Sequence, residues 1–316
     1  MPYISEIYTS KPKEYKSDLE KITFETLEKL DIKYERIDTD ELITMTDCLE
    51  ADKKLNVDIV KTLFLANQQK KKFYLLLMSA NKRFNTKNFP EQNSMTKDDF
   101  VIVCGDFGFW TPSKEQEHQL QWLSQRPFTT LFIDGNHECF DELYNLPIEE
   151  FCGGKVHYVK DSIIHLMRGQ IFNLDGLKIF TFGGAKTHDM PAGILDIEDP
   201  HFKQKKKKLD KEGAKYRINH VSWWKDEMPN QYEYRYGVEN LEKHDWRVDY
   251  VITHCCPSSI QRMIAEDEYK TDELTDYLDE IKTSLSYKNW IFGHYHDNKM
   301  ITDKDILIYE QIIRIK

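Results

Sequence analysis

The stretch FVIVCGDFG, residues 100–108, contains a short apolar run that stops at a glycine and is followed at once by an aspartate, Asp106. Three further apolar runs end in a similar manner, in Asp134-Gly135-Asn136-His137-Glu138, in Thr253-His254 and in Gly293-His294-Tyr295-His296. Short apolar runs bounded by turn residues are typical of buried β-strands. Because an open α/β sheet binds its ligands at the carboxyl ends of its strands, the pattern predicts an α/β fold with its functional site at that edge.

The residues at these strand ends are of the types that bind metal ions. Asp106, Asn136, His254, His294 and His296 offer carboxylate, amide and imidazole groups, and carboxylate and imidazole suit Mn, Fe or Zn. An aspartate can bridge two such ions about 3.5–4 Å apart, and neighbouring glycines allow the tight turns that direct a ligand into a crevice. Ordinary polar strand ends are the alternative interpretation, which the joint occurrence of four such ends disfavours.

Through these motifs, residues 84–316 resemble the calcineurin-like metallophosphoesterases. The resemblance implies a two-layered β-sandwich flanked by helices, which hydrolyses phosphomonoesters or phosphodiesters with two divalent metal ions. It further implies that Asp106 bridges both ions and that His296 belongs to the first metal site. Asn136, His254 and His294 would complete the second metal site. His137 would contact the scissile phosphate or protonate the leaving group.

One motif of that family is missing. An Asp-x-His sequence on the first strand should provide two ligands of the first metal, yet the first histidine of this chain is His118. The literal match Asp199-Pro200-His201 has no strand pattern in front of it and is interpreted as a surface turn. We predict that residues 73–79 occupy the first-strand position, with Leu76 and Met78 where the family has its Asp and His. The expected consequence is one bound ion rather than two, and impaired hydrolysis.

Residues 1–83 resemble the front half of the YbaK/prolyl-tRNA-editing deacylase family. The resemblance rests on an amphipathic helical pattern that begins at Ser17, an extended segment at 34–37, and apolar strands at 60–66 and 73–79. It implies that Lys61 binds substrate near the aminoacyl-tRNA end, with an edge-strand lysine that blocks aggregation as an equal alternative. The second half of that family has no counterpart here. The chain is therefore predicted to be a truncated, small α+β editing-like unit, residues 1–83, fused to a metallophosphoesterase domain, residues 84–316.

Composition excludes several other classes of protein. With 40% hydrophobic and 31% charged residues, the 316-residue chain can build a core. Its longest strongly apolar run, 73–78, is too short for a membrane span, and no apolar signal region follows the N-terminus. The net charge of −10 argues against a nucleic-acid partner, tRNA at the N-terminal segment excepted. Six cysteines without a CxxC pair indicate reduced thiols and a cytoplasmic protein, while nothing indicates the oligomeric state.

Other functions stay open at the level of sequence. A catalytically degenerate phosphoesterase fold that only binds is one alternative, and an aminoacyl-tRNA deacylase acting through Lys61 is a weaker one. Cys255-Cys256 could provide a thiol nucleophile, residues 203–208 a basic contact, and Trp223-Trp224 a stacking surface. Small buried thiols, a solvated helix face and core packing are the plainer explanations of these three signals.

Overall fold

The computed structural model of the protein describes residues 73–76, 84, 86–109, 113–264, 269–309 and 311–315. The strands of the described segments are β1 Phe73–Leu76, β2 Phe100–Cys104, β3 Thr129–Ile133, β4 Ile148–Phe151, β5 Gly154–Lys160, β6 Ile163–Leu166, β7 Gln170–Leu174, β8 Leu177–Phe182, β9 Ile194–Leu195, β10 Arg217–Ile218, β11 Tyr250–Thr253, β12 Asn289–Phe292, β13 Lys299–Met300, β14 Asp305–Leu307 and β15 Ile313–Arg314. The α-helices there are α1 Lys114–Ser124, α2 Phe140–Tyr144, α3 Phe202–Glu212, α4 Gln231–Lys243, α5 Ser258–Ile264 and α6 Glu273–Ser284.

These strands form two mixed sheets and one two-stranded ribbon. The first sheet has the order β15-β1-β2-β3-β6-β5-β4, and the second has the order β13-β14-β12-β11-β8-β7. The middle strands of each sheet are parallel: β1, β2, β3 and β6 in the first, and β8, β11, β12 and β14 in the second. Antiparallel strands complete the edges, and β9 pairs with β10 alone. Two mixed sheets flanked by helices confirm the α/β class predicted from the sequence.

The core lies between the two sheets and under the helices on either side. Along β2, Ile102 and Cys104 belong to the cluster between the sheets, together with Ile252 of β11 and Ile291 of β12. The alternate residue Val103 belongs to a different cluster, with Leu120 and Leu123 of α1. Side chains alternate between the faces of a strand, and a parallel strand covered on both faces is apolar throughout. A second helical layer, α4 and α6, packs through Leu241 and Leu278 on β8 and β12.

Strand β1 pairs with β2 in the first sheet. The two strands are parallel, with Phe73 opposite Phe100 and Leu76 opposite Val103, and β15 lies on the other side of β1. This pairing confirms that the stretch beginning at Phe73 takes the first-strand position beside β2. Leu76 ends the strand, whereas Met78 lies outside the described residues. So do residues 1–72, and the division into segments 1–83 and 84–316 stays a prediction.

The short apolar runs between residues 157 and 185 predict one antiparallel meander with a hairpin turn at Asp175-Gly176. The structure differs from this prediction in one respect. The strands β5 and β6 pair in the first sheet, while β7 and β8 pair in the second. The chain crosses between the sheets at Gly169, which has φ +72° and lies so close to Gly237 of α4 that a side chain would overlap that helix. Only glycine fits such an approach readily. The predicted hairpin turn at Asp175-Gly176 is present, with Leu174 opposite Leu177.

Burial distinguishes the alternatives for the tryptophan pair and for the lysine run. Trp224 is 1% exposed and packs with Cys139 and Phe140, so it belongs to the core. Helix α3, which carries the lysine run, has no buried residue and is a solvated helix. In the described part of the chain, no helix has the length and apolar character that crossing a membrane requires.

Candidate active site

The loops that follow β2, β3, β11 and β12 meet at one end of the two sheets. His254 follows β11 of the second sheet, and its Nδ1 lies 2.9 Å from the carbonyl oxygen of Cys104, the last residue of β2 in the first sheet. His254 is completely buried. The contact joins the carboxyl ends of both sheets, so residues that are 150 positions apart in sequence meet in one cluster.

Asp106 stands at the centre of this cluster. Its carboxylate oxygen Oδ1 accepts hydrogen bonds from the backbone N–H groups of Asn136 and His137, both at 3.1 Å, and lies 3.1 Å from Nε2 of His254. Burial raises the pKa of Asp106, but the positive charge of His254 outweighs burial and holds that pKa below its ordinary range. The side chain is therefore an ionised carboxylate, buried and fixed in orientation.

Two glycines leave the space that this arrangement requires. A Cβ on Gly105, which has φ +88°, would overlap the imidazole ring of His254. A Cβ on Gly135 would overlap both Oδ1 and the backbone nitrogen of Asp106. Gly105 and Gly135 are thus explained by close approach, since any side chain would displace Asp106 or His254.

Glu138 holds the loop that carries Asp106. It is fully buried, and its two carboxylate oxygens accept the backbone N–H groups of Phe107 at 2.7 Å and of Phe109 at 2.8 Å. Burial raises the pKa of Glu138 well above its ordinary value, and the nearby charge of Asp106 adds to that rise. The last residue of the Gly-Asn-His-Glu motif therefore links the loop after β3 to the loop after β2.

The side chain of Asn136 is oriented by a buried pair behind it. Its Nδ2 donates to Oγ1 of Thr187 at 3.2 Å, and the Thr187 hydroxyl donates to Glu227 at 2.6 Å. Glu227 also accepts the backbone N–H of Thr187 at 2.8 Å, and burial raises the pKa of Glu227 to about 6. With the amide nitrogen committed to Thr187, the oxygen Oδ1 of Asn136 is buried without a hydrogen-bond partner among the described residues.

The atoms around Asp106 have the character of a cation site. The carbonyl oxygen of Cys104 can only accept, so Nδ1 of His254 donates to it. Burial lowers the pKa of His254, but the charge of Asp106 outweighs burial and raises that pKa. This favours a proton on Nε2, which a bound cation would displace. Nε2 is buried and has no hydrogen-bond partner of good geometry among the described residues. A carboxylate oxygen, an amide oxygen and, after loss of that proton, an imidazole nitrogen are thus buried and available to a cation. Leaving such acceptors unmatched is costly, and a divalent ion would satisfy them together. The residues present therefore fit a metal.

His294 and His296 follow β12. The ring of His294 lies 5.0 Å from that of His254, centroid to centroid, and burial together with the His254 charge lowers its pKa well below the ordinary value. His296 is exposed, and its ring lies against Tyr309 at 4.9 Å. Left-handed φ angles occur at Asp106 (49°), His294 (68°) and His296 (53°). Such angles are strained for residues other than glycine and concentrate at functional sites.

His137 is the accessible member of the cluster. It is half-buried, whereas Asp106, Asn136, His254 and His294 are all buried. Burial lowers the pKa of His137, the charge of Asp106 opposes that effect, and Arg217 adds to the lowering. Nη2 of Arg217 donates to both carboxylate oxygens of Asp189, at 2.7 and 2.8 Å. The ring is therefore placed where a bound molecule can reach it.

A buried network supports the loop after β3 from the opposite side. Asp134, which opens that loop, accepts hydrogen bonds from Arg168 Nε at 2.9 Å and Nη2 at 2.6 Å, and lies 3.1 Å from Nε2 of His165. Arg168 also donates to the carbonyl oxygen of Asp226 at 2.8 Å and to Glu233 of α4 at 3.2 Å. Sequence patterns indicate no role for Asp134, Arg168, Thr187 or Glu227. Of these four, Asp134 alone carries a signal, because it adjoins the motif that contains Glu138.

Two further sequence candidates have different outcomes. Lys61 lies outside the described residues, and its role stays a prediction. Cys255 and Cys256 are both buried, and burial raises the pKa of both, to about 12 for Cys256. Thiols of this kind are not nucleophiles at neutral pH, so the thiol alternative is wrong.

In the described part of the chain, no three His, Cys, Asp or Glu side chains converge as a ready-made metal group; the candidate set depends on the amide oxygen of Asn136.

Comparison with known proteins agrees with the fold. The profile of the family described as Calcineurin-like phosphoesterase matches residues 69–298, which include β1 and all the loops that form the cluster. The chain belongs to this family, whose members generally use divalent metals. It is also similar to lariat debranching enzyme A of Xenopus laevis, with 24% identity over 182 residues, 52% of this chain and 30% of that protein. The chain thus spans less than a third of the length of that relative.

Proposed function

We propose that this protein hydrolyses a phosphomonoester or phosphodiester at the cluster around Asp106, with a divalent metal ion held by Asp106, Asn136, His254 and His294. The observation that carries the proposal is the buried, unpartnered oxygen Oδ1 of Asn136 together with Nε2 of His254, which lies 3.1 Å from the ionised carboxylate of Asp106 without forming a hydrogen bond of good geometry. When bound there, such an ion would act as a Lewis acid on a phosphoryl oxygen.

The chain's own residues divide the remaining work. Asp106 and His254 orient each other where the two sheets meet. Glu138 holds the loop that carries Asp106, and Thr187 orients the amide of Asn136. His137, half-buried at the edge of the cluster, contacts the phosphoryl group or gives a proton to the leaving oxygen. Because the first-strand Asp-x-His motif is missing, the turnover expected of this site is lower than that of a complete two-metal site.

Metal content and turnover test this proposal together. The purified chain is loaded with manganese, its metal is measured, and hydrolysis of p-nitrophenyl phosphate and bis(p-nitrophenyl) phosphate is followed. Asp106→Asn should lower both manganese affinity and turnover by about 100-fold or more, because mutations of outer partners alone cost 10–100-fold. The matched control Asp98→Asn changes an exposed aspartate and should leave both unchanged. Normal turnover in Asp106→Asn would contradict the proposal.

One observation favours a second candidate, a phosphoesterase fold that binds without catalysis. Strand β1 has the sequence FYLL and pairs with β2 at the position where the family has its Asp-x-His motif. A protein with the full fold but without those ligands could retain only recognition. A purified chain that binds no manganese and hydrolyses neither ester would support this second candidate over the first.

A further inference from the structure

A cavity of about 290 Å³ lies beside the candidate active site. Its lining includes His294 and Thr187, the first a proposed metal ligand and the second the partner of Asn136. Other lining residues come from α5, from the start of α6 and from Tyr269-Lys270 between them. A molecule in this cavity would therefore extend from the metal cluster towards α5 and α6.

A buried amide in the lining has an unmet hydrogen bond. Gln261 of α5 is only 4% exposed, and its side-chain oxygen Oε1 has no hydrogen-bond partner among the described residues. The last torsion of a glutamine side chain is soft, so a small rotation can present this oxygen to the cavity that Gln261 lines. A buried acceptor without a donor is costly, and a ligand that brings an N–H group would satisfy it.

Part of the cavity lining is aromatic. The ring of Tyr269 stands edge-to-face with His188 at 5.1 Å and with Tyr295 at 5.0 Å, both at 88°. All three residues line the cavity. Rings in such arrangements offer faces and edges that flat π-systems pack against favourably. Lys186 and Lys270, both exposed, line the same cavity together with one carboxylate, Asp272, which caps α6. The excess of positive charge favours an anionic substrate.

We propose that this cavity binds the organic part of the phosphoester substrate, and that this part is a flat nitrogen heterocycle with an N–H donor, as in a nucleoside. The heterocycle packs against Tyr269 and donates to Gln261, while the attached phosphoryl group lies towards His294. A volume of about 290 Å³ is at the lower limit of ligand pockets and accommodates one such group. This inference rests on the proposed function, because the phosphoryl group is what places the heterocycle there.

Binding of neutral nucleosides tests the cavity separately from catalysis. Adenosine, cytidine and purine riboside, which lacks the exocyclic amine of adenosine, are titrated by calorimetry into the full-length, manganese-loaded chain. Adenosine or cytidine should bind, and purine riboside should bind more weakly than adenosine. In Gln261→Leu, adenosine should bind about tenfold more weakly, the loss expected for one hydrogen bond that is no longer made, and the preference for adenosine over purine riboside should vanish. Gln204→Leu, at an exposed glutamine of α3, is the matched control.

A second pair of variants tests the aromatic wall. Tyr269→Leu should weaken nucleoside binding by about tenfold, as expected when a ring that stacks on a base is removed, while Tyr269→Phe should retain it. Thermal unfolding of each variant shows whether it is folded. Absence of binding of all three nucleosides to a folded, manganese-loaded chain would overturn the inference, as would equal binding to the wild type, Gln261→Leu and Tyr269→Leu. Nucleoside binding with this pattern but without turnover of any aryl phosphoester would support the cavity and contradict the catalytic proposal. Turnover without nucleoside binding would do the reverse.

Discussion

At the scale of single residues, Gly135 shows how closely the cluster is packed. A methyl group at this position would overlap Asp106 at its Oδ1 and its backbone nitrogen. We expect Gly135→Ala to lower the free energy of unfolding by about 1–3 kcal/mol, the usual cost of overpacking, and to weaken manganese binding. Urea unfolding and manganese titration measure the two effects. In the control Gly176→Ala, a left-handed hairpin position with open space around it, stability should fall while manganese affinity stays; equal metal loss in both variants would contradict this explanation.

The buried pair of Arg168 and Asp134 gives a second prediction at this scale. Both side chains are almost completely buried, with 2% and 1% exposure. Arg168→Met leaves the Asp134 carboxylate buried without its main counter-charge, which should lower the free energy of unfolding by about 3–5 kcal/mol. The double variant Asp134→Asn with Arg168→Met removes the unmatched charge and should recover part of the loss, as measured by urea unfolding. Additive losses in the double variant would show that the two residues act independently.

His157 predicts a pH dependence of stability. It is buried, and its Nδ1 lies 3.0 Å from Nδ1 of His165. Burial, with the charge of His165 adding to it, lowers the pKa of His157 to about 4 from 6.5. As the pH falls, the unfolded chain therefore binds a proton at this histidine at a higher pH than the folded chain does. Stability is retained above pH 6.5 and falls by up to about 1.4 kcal/mol per pH unit as the pH drops from 6.5 to 4. Urea unfolding of His157→Asn, which does not titrate, should show a shallower decrease over that interval; identical slopes would contradict the assignment.

At the scale of elements, β1 is paired on both sides. Leu75 lies opposite Ile102 of β2 and Ile313 of β15, so its backbone is inside the sheet. Leu75→Pro should lower the free energy of unfolding by about 3 kcal/mol or more, since proline cannot donate to a ladder and is excluded from central strands. Urea unfolding measures the loss. Glu150→Pro on β4, an exposed residue of an edge strand, is the control and should cost less. Equal tolerance of both substitutions would show that β1 is not part of the folded sheet.

Other strands of the two sheets show how much of the fold the sequence can predict. Strands β2, β3 and β11 begin and end where their apolar runs do, because a buried parallel strand requires an uninterrupted run and the loop after it requires glycine or a polar residue. The antiparallel pairs of the 157–185 region were predicted, but not their separation into two sheets. That separation depends on the close approach of Gly169 to Gly237, a contact between residues 68 positions apart that no local pattern records.

At the scale of the whole molecule, the topology explains which residues form the cluster. It does not explain which residues orient them. Asp106, Asn136 and His254 were predicted to meet because each follows a strand, and the two sheets bring those strand ends together. Thr187 and Glu227 follow no motif, and their roles arise from contacts that span 51 and 40 positions. Sequence patterns identify the groups that face a ligand, whereas the groups that orient them become visible only when the chain is folded.

The number of bound ions is a property of the whole fold, since each set of ligands comes from several strand ends. Without the Asp-x-His motif, a first metal would retain only Asp106 and His296, and His296 is exposed with its ring against Tyr309. Catalytic sites normally offer about three protein ligands. The second set, Asp106, Asn136, His254 and His294, is buried. We therefore expect close to one equivalent of metal by elemental analysis. His254→Ala should abolish binding, whereas His296→Ala should retain the ion. Two equivalents in the wild type, with phosphodiester turnover that His296→Ala abolishes, would show that another residue replaces the missing motif.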